Sequence, residues 1–279
     1  MSLKQIQVEL LSSWGGDRQI SEAAWVSSTD KAKLENKTEE DVKRVVTSIV
    51  QLSHGTPKER VWFEYYIRLP IFAERQLDKQ RMSVQFQDFQ IECLLGEFGR
   101  GNITQNELSG RYRTIPDRPY GLPNDIGTIL EKAYSVIELP PRESNNFAPG
   151  KELLTTIWLE DLQKQHDAYQ RQLDILKSAE KKGVISNGDY KRAREVLRGR
   201  LGTAFMTDMR IVLNLRSLEN LCNDRLAPAA QPEIRWVACQ MVREAQKQEV
   251  APICINQMIE TNNWLPRILE IEELVSKDN

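Results

Sequence analysis

Residues 61–81 decide the fold of this chain, and they read VWFEYYIRLPIFAERQLDKQR. From Val61 to Ile67, apolar side chains occupy every second position, which predicts a β-strand with one buried face. Pro70 ends that strand, and a helix is predicted to carry Phe72 to Arg81. The stretch therefore predicts a strand that leads almost directly into a helix.

A second strand and another helix are predicted on the N-terminal side of this stretch. From Ile6 to Leu10, apolar and polar residues alternate, as they do in a strand with one buried face. Thr38 is followed by three acidic residues, which is typical of a helix start because the hydroxyl caps N–H groups and the acids favour the positive end of the helix dipole. We expect Gly55 and Pro57 to stop this helix.

The C-terminal side is predicted to be mostly helical. Residues 113–150 are rich in proline and polar residues, so they are expected to be irregular apart from a short helix near Ile126–Ile137. Long amphipathic stretches then predict four helices, at Leu153–Lys182, Asp189–Leu197, Ala204–Leu221 and Glu233–Val250. Early strands and late helices predict an α+β fold, in which an antiparallel or mixed sheet packs with long helices. We expect a single domain over residues 1–279, with its mostly helical half at 151–279.

Composition restricts the possible partners. The formal net charge is −2 over 279 residues, so no general attraction to nucleic acid or to a membrane is expected. No apolar run approaches the roughly 20 residues that span a bilayer. The first residues do not combine a basic segment with a long apolar stretch, so no secretion signal is expected. The four cysteines form no CxxC pair and only two histidines are present, so we expect no metal site and a cytoplasmic location.

Three arginine-bearing segments are candidates for an anion or nucleotide site: residues 75–81, 106–112 and 214–225. Each could also be an ordinary solvated helix face. However, Arg216 lies within the apolar stretch from Ile211 to Leu218, where a guanidinium needs a carboxylate or phosphate partner. In Ser109-Gly110-Arg111, the glycine allows close backbone approach while its neighbours supply donors to phosphate.

The combination of these segments resembles the flavin-dependent thymidylate synthases. That family carries the signature Arg-His-Arg-x-x-Ser-x-Asn-x-x-Ser-x-Arg-Tyr, whose second half stands here as Asn106-Glu107-Leu108-Ser109-Gly110-Arg111-Tyr112. The first half is altered to Lys79-Gln80-Arg81. Further similar segments follow the family's order: Ala23–Ser27, Ser53–Glu59, Ala193–Leu197, Asn214–Leu218 with Arg225, and Ala230–Ile234.

The resemblance implies a family fold, cofactors and site residues. Family members are homotetramers in which flavin adenine dinucleotide (FAD) and the nucleotide bind between subunits. The matching positions for FAD are Thr56, Glu59, Lys79, Gln80, Arg81, Asn106, Asn214 and Arg216. Those for the pyrimidine deoxynucleotide monophosphate are Gln76, Glu107, Ser109, Gly110, Arg111, Arg194 and Arg225.

The implied reaction is C5 methylation of deoxyuridylate. NADPH reduces the flavin, methylenetetrahydrofolate provides the carbon, and the protein orients and polarises the reactants. Arg111 and Arg194 suit the phosphate because they are permanently charged and bind bidentately. Arg225 is assigned to the pyrimidine carbonyl edge, where it stabilises negative charge. Ser109 is expected to position the substrate and not to act as a triad nucleophile, while His166 is expected at the surface and the cysteines in the core.

The chain departs from the family at two places beside the site. The Arg-His-Arg triplet has become Lys79-Gln80-Arg81, and residues 82–105 form an insertion. The insertion is either a surface excursion packed on a neighbouring subunit or a lid over the flavin or folate pocket. Deoxycytidylate as substrate, and hydroxymethyl transfer, remain alternatives that would fit an enzyme for modified DNA bases, as in a virus-infected microbial cell.

Two rival interpretations remain. A degenerate relative could bind flavin or nucleotide without catalysis, which the altered triplet supports and the intact Ser109–Tyr112 segment opposes. A helical nucleic-acid-binding protein could use the basic residues between Lys191 and Arg200. The acidic balance and the lack of an aromatic stacking platform oppose this second interpretation, so no nucleic-acid partner is expected.

Overall fold

The computed structural model describes residues 3–26, 36–79, 104–107, 116–135 and 150–277 of the chain. For residues 78–79 and 104–107 it describes the backbone alone. Within these ranges, four strands are formed: β1 (Gln7–Trp14), β2 (Trp62–Pro70), β3 (Thr104–Glu107) and β4 (Met206–Asn214). Short 3₁₀ turns lie at Leu3–Gln5, Thr56–Arg60 and Arg198–Arg200.

The described α-helices are divided between the two halves of the chain. The N-terminal half contributes α1 (Asp17–Trp25), α2 (Glu39–Gln51), α3 (Ile71–Lys79) and α4 (Asn124–Tyr134). The C-terminal half contributes α5 (Lys151–Lys181), α6 (Asn187–Leu197), α7 (Leu215–Arg225), α8 (Pro232–Lys247), α9 (Pro252–Thr261) and α10 (Trp264–Lys277). The strand and helix predicted from residues 61–81 are confirmed as β2 and α3 over the residues described.

The sheet has the order β1-β2-β4-β3, and its strands pair antiparallel. The prediction of an α+β fold is thereby confirmed, and its sheet is antiparallel among the described strands. Tyr65 lies opposite both Leu10 and Ile211, and these three residues share the inner face. Their side chains are at most 3% exposed and join one core with the helices behind the sheet.

Residues 204–221 were predicted to form a helix, and this prediction is wrong for their first part. Met206–Asn214 is the strand β4, which pairs with β2 on one side and β3 on the other. Met209, Ile211 and Leu213 are buried, and residues between them are more exposed, which is the two-residue period of a strand. Helix α7 begins immediately afterwards, at Leu215. The β-branched run Ile211-Val212 favours a strand once neighbours on both sides complete its hydrogen bonds.

The opposite face of the sheet is polar and carries an ionic cluster. Asp208 on β4 accepts hydrogen bonds from Arg68 Nε at 2.8 Å, from Tyr66 Oη at 2.7 Å and from both terminal nitrogens of Arg118. Burial alone would raise the pKa of Asp208, but the hydrogen bonds from Arg118, Arg68 and Tyr66 outweigh it and lower the pKa to about 2. The carboxylate therefore ties the 116–120 segment to the sheet.

The described part of the chain contains no helix that combines the length and the apolar character required to cross a bilayer. Most of the predicted insertion, residues 82–103, lies outside the described residues, while its last two residues, Thr104 and Gln105, begin β3. The expectation of a single domain over 1–279 stays a prediction.

Candidate functional site

The Thr56–Arg60 segment, hereafter the Thr56 turn, connects α2 to β2 and carries two residues assigned to the flavin. Its 3₁₀ turn begins after Gly55 with Pro57 near the start, where a missing N–H costs no helical hydrogen bond. The Lys58 N–H donates to the carbonyl of Gly55 at 3.0 Å. The turn packs against α1, α7 and β4, so Thr56 and Glu59 are carried by a segment fixed on several sides.

Asn214 and Arg216, also assigned to the flavin, lie at the junction of β4 and α7. Asn214 is 1% exposed and caps α7, since its Oδ1 accepts from the N–H of Ser217 at 2.8 Å. Its Nδ2 is buried and has no hydrogen-bond partner within the described residues. A buried amide donor of this kind is uncommon, and it is consistent with a ligand that completes the site.

The two segments that carry these assigned residues are far apart in sequence and meet through an ion pair. Arg216 Nη1 lies 2.6 Å from Glu59 Oε1, and the N–H of Leu215 donates to the carbonyl of Val61 at 2.8 Å. Gly55 makes the approach possible, because a Cβ at that position would lie 2.6 Å from Arg216 Nε. The carboxylate that the sequence required for Arg216 is therefore Glu59.

The other predicted flavin residues are described only in part. Asn106 lies opposite Arg210 in the pairing of β3 with β4, on the strand that ends at Asn214. Lys79 is the last residue of α3, and the side chains of both Asn106 and Lys79 are outside the described set. Gln80 and Arg81 lie outside the described residues.

The predicted nucleotide residues are divided between two regions. Gln76 Nε2 on α3 donates to Oε1 of Gln231, at the start of α8. Arg225 ends α7, and its buried Nε has no hydrogen-bond partner among the described residues. Arg194 is carried by α6, which packs on α5, and its guanidinium lies 5.3 Å from the ring centre of Tyr190.

The remaining nucleotide residues belong to the signature segment. Glu107 lies opposite Met209 at the end of β3, with backbone alone described. Ser109, Gly110 and Arg111 lie outside the described residues. The structure therefore brings the Thr56 turn together with the start of α7, whereas the assignment of the signature residues remains a prediction.

The described cysteines are unsuited to nucleophilic catalysis. Cys222, Cys239 and Cys254 are buried, as expected of core residues. Burial raises the pKa of the Cys239 thiol to about 12 and also raises the pKa of Cys222 and of Cys254. A thiolate is the reactive form of cysteine, so none of these three thiols is activated. No cluster of metal-ligating side chains occurs within the ranges that the structure describes.

His166 was predicted to lie at the surface, and this prediction is wrong. Its side chain on α5 is buried beside the rings of Tyr169 and Phe205, with ring centres 6.1 Å from each. His166 Nδ1 lies 3.7 Å from Asp117 Oδ2. The polar neighbours of His166 in sequence are on other faces of the helix, so their polarity did not report the environment of this residue.

Sequence reasoning also did not identify Lys58 and Glu219, which form a buried ion pair between the Thr56 turn and α7. A lysine inside a tight turn usually faces water, and so does a glutamate on a helix. Lys58 is adjacent to Glu59, and Glu219 lies three residues after Arg216. This spacing is the sequence signal that could have indicated a second ion pair beside the first.

Comparisons with known proteins agree on one family. The family model described as thymidylate synthase complementing protein matches residues 9–253. The flavin-dependent thymidylate synthase of Kosmotoga olearia is 26% identical over 209 residues, which cover 74% of this chain and 72% of that protein. The flavin-dependent thymidylate synthase of Thermus thermophilus is 28% identical over 244 residues, covering 87% and 72% respectively.

Among solved structures, the chain is similar to a UMP/dUMP methylase, PolB from Streptomyces cacaoi, bound with 5-Br dUMP. The TM-score is 0.63 at 20% sequence identity, over 91% of this chain and 95% of that one. At this identity the likeness establishes a shared fold.

Proposed function

The chain belongs to the thymidylate synthase complementing protein family, the flavin-dependent thymidylate synthases, and from that premise we propose that it converts deoxyuridylate to deoxythymidylate. As a member of this family it is a methyltransferase enzyme that uses a flavin, and its reaction is methylation of a pyrimidine nucleotide at C5. Deoxyuridylate, methylenetetrahydrofolate and NADPH are the finer elements of the proposal, as is a cytoplasmic location.

The observation that carries the proposal is the ion pair between Arg216 and Glu59, in which the guanidinium lies against Gly55. It unites residues from the two segments that resemble the family's flavin-contacting motifs. A guanidinium held on one side by a carboxylate still has free donor directions, because arginine carries five N–H groups in a planar fork. These directions suit a diphosphate or a flavin carbonyl.

The described residues fit a bound flavin. Asn214 offers a buried amide donor that has no partner within the described residues, and Gly55 keeps the space beside Arg216 free of a side chain. Thr56 and Asn214 would hold the cofactor together with Arg216, while Lys79, Gln80, Arg81 and Asn106 remain proposed ligands. When bound, the flavin supplies the hydride that reduces the transferred carbon to a methyl group.

The protein's own part in the reaction is to bind and polarise the pyrimidine. We assign Arg225 to the pyrimidine carbonyl, where its permanent charge stabilises the negative charge that develops as C5 becomes nucleophilic. The buried Nε of Arg225 provides a donor that the described protein residues do not satisfy. Arg194 and Arg111 are assigned to the phosphate, with Gln76, Glu107, Ser109 and Gly110 completing the nucleotide site. Ser109 positions the substrate.

No described cysteine is available for covalent activation of the pyrimidine ring, since all three are buried with raised pKa values. This favours a route in which the ring is polarised by charge and hydrogen bonds.

A spectrum of the purified protein, followed by nucleotide titration, tests the proposal. We expect flavin absorbance bands that shift on addition of deoxyuridylate. Bands that shift with deoxycytidylate and not with deoxyuridylate would identify deoxycytidylate as the substrate. Mass spectrometry of the product would distinguish hydroxymethyl transfer from methyl transfer. A protein that cannot be reconstituted with FAD would contradict the enzymatic proposal and leave the non-catalytic relative.

We also propose that the enzyme is a homotetramer with sites completed by neighbouring subunits. One supporting observation is a pair of neighbouring tryptophans on the polar face of the sheet. Trp14 is 62% exposed and lies opposite Trp62, which in turn lies opposite Asn214. Tryptophan is enriched at protein–protein interfaces, so this pair is a candidate contact between subunits.

A further inference from the structure

A second ion pair joins the same two elements as Glu59 and Arg216. Lys58 Nζ donates to Glu219 Oε2, where Lys58 belongs to the Thr56 turn and Glu219 to α7. The Lys58 side chain is 1% exposed and that of Glu219 is 12% exposed. Asn262, which follows α9, donates from Nδ2 to the other Glu219 oxygen at 3.4 Å.

The two ion pairs have opposite polarity. In one pair the turn supplies the acid, Glu59, and the helix supplies the base, Arg216. In the other the turn supplies the base, Lys58, and the helix supplies the acid, Glu219. Lys58 is adjacent to Glu59, and Glu219 is three residues after Arg216, so it lies one turn further along α7 on a neighbouring part of its surface.

Because the two pairs have opposite polarity, they are compatible with only one register of the Thr56 turn on α7. If the Thr56 turn were displaced along α7 by one turn of the helix, Glu59 would approach Glu219 or Lys58 would approach Arg216, depending on the direction. Each shifted arrangement would bring like charges together and leave a buried charge unpaired, which is strongly unfavourable. A buried ion pair adds little net stability over an apolar pair of similar volume, so net stability does not by itself account for the burial of Lys58 with Glu219.

The elements around the pair are joined to one another. Asp17, the first residue of α1, accepts hydrogen bonds from the N–H groups of Ile253 and Cys254 at 2.8 and 2.9 Å, and so fixes α1 to the start of α9. The Thr56 turn packs against α1 as well as α7. Lys58 is therefore enclosed by elements that are themselves connected.

We propose that Lys58 and Glu219 are positioning residues of the flavin site, which fix the register of the Thr56 turn on α7 and thereby hold Glu59 against Arg216. The proposal rests on the proposed function for the identity of the ligand, FAD. The register itself is a property of the protein without cofactor. Lys58 and Glu219 act through Glu59 and Arg216 and are not assigned any contact with FAD.

The test compares Lys58→Met and Glu219→Gln with a control at another buried residue whose side chain also bonds to α7. Trp264→Phe serves as that control, because it removes the hydrogen bond from the buried Trp264 Nε1 to Asn223 Oδ1 (2.8 Å), which joins α10 to α7 through residues outside the Thr56 turn. Glu219→Gln keeps the shape of the side chain and provides a second variant if Lys58→Met does not fold.

Two readouts are needed. The first is the FAD dissociation constant by fluorescence titration. The second is hydrogen exchange, in the protein without cofactor, at the amides of Lys58 and Val61, which donate to the carbonyls of Gly55 and Lys58 respectively. We expect both ion-pair variants to weaken FAD binding by about tenfold and to accelerate exchange at the two amides. Trp264→Phe should lower stability while leaving both readouts at the wild-type level.

The proposal is overturned if the ion-pair variants match Trp264→Phe in both FAD affinity and exchange. Failure of the wild-type protein to bind FAD is a separate outcome, which contradicts the proposed function. In that case the exchange comparison still decides whether Lys58 and Glu219 fix the register of the turn.

Discussion

The guanidinium of Arg216 lies directly over the backbone of Gly55, so closely that a Cβ there would be 2.6 Å from Nε and 2.8 Å from Cζ. Glu59 holds the guanidinium in this place through a 2.6 Å contact. The absence of a side chain at position 55 therefore determines where the arginine can lie. Three residues from two segments form the centre of the candidate flavin site.

Gly55→Ala should displace Arg216 and weaken FAD binding. The added methyl group would overlap the guanidinium, so Arg216 would have to shift and its contact with Glu59 would be disturbed. We expect a loss of roughly tenfold or more in FAD affinity, measured by fluorescence titration. Gly199→Ala is the control, because a Cβ there would meet no atom within 4 Å. Equal FAD affinity in the two variants would contradict this role of Gly55.

Arg216→Gln should lower FAD affinity more than Glu59→Gln does. Removal of the arginine deletes the proposed donor to the flavin, whereas removal of the acid leaves the donor in place with less restraint. Hydrogen bonds to charged groups contribute about 1.5–3 kcal/mol, so the arginine variant should bind FAD at least about tenfold more weakly. Isothermal titration measures both affinities, and the reverse order would show that Arg216 does not contact the cofactor.

Arg225→Ala should reduce kcat by about 10²-fold or more while flavin binding persists. One donor that stabilises charge in a transition state typically contributes this much. The matched change is Arg225→Lys, which retains the charge at the C-terminal end of α7 but loses the planar fork. Rapid-reaction measurements of flavin oxidation separate chemistry from binding. An unchanged kcat in the alanine variant would remove Arg225 from the proposed mechanism.

The ionic cluster at Asp208 should make stability fall in acid. The folded-state pKa is lowered from 3.8 to about 2, so the stabilisation is present above pH 3.8 and is lost as the pH falls towards 2. In Asp208→Asn this titration is absent. The difference in urea midpoint between the wild type and this variant should therefore shrink as the pH is lowered from about 5 to about 3. A difference that stays constant over this range would contradict the lowered pKa.

The proposed assembly predicts a particle of four chains in solution. Analytical ultracentrifugation should give a mass of four times 32.2 kDa, both with and without FAD. A single species at 32.2 kDa would contradict the tetramer and would require each chain to complete its own site.

The sequence predicted the elements whose period is regular over their whole length. β2 and α3 were predicted because alternation over Val61–Ile67 and the proline at 70 are local signals. β4 was mistaken for helix because its central place in the sheet comes from pairing with segments about 100 and 150 residues earlier in the chain, which no local pattern records.

The candidate site was predictable as motifs and only partly as geometry. The need of Arg216 for an acidic partner followed from its apolar neighbours, but the identity of that partner as Glu59 depends on how the Thr56 turn packs on α7. The Lys58–Glu219 pair was missed for the same reason, because the sequence separation of the two residues is 161. Burial of His166 likewise depends on Phe205, a contact across distant elements.

The central claim, that this chain transfers a methyl group to C5 of deoxyuridylate with a flavin hydride, is tested most directly in a single turnover. The FAD-bound protein is reduced with light under anaerobic conditions and mixed with deoxyuridylate and methylenetetrahydrofolate. Flavin absorbance and the nucleotide product are then followed together. We predict that the flavin becomes oxidised as deoxythymidylate forms in equal amount. A flavin that stays reduced with both deoxyuridylate and deoxycytidylate would contradict the claim.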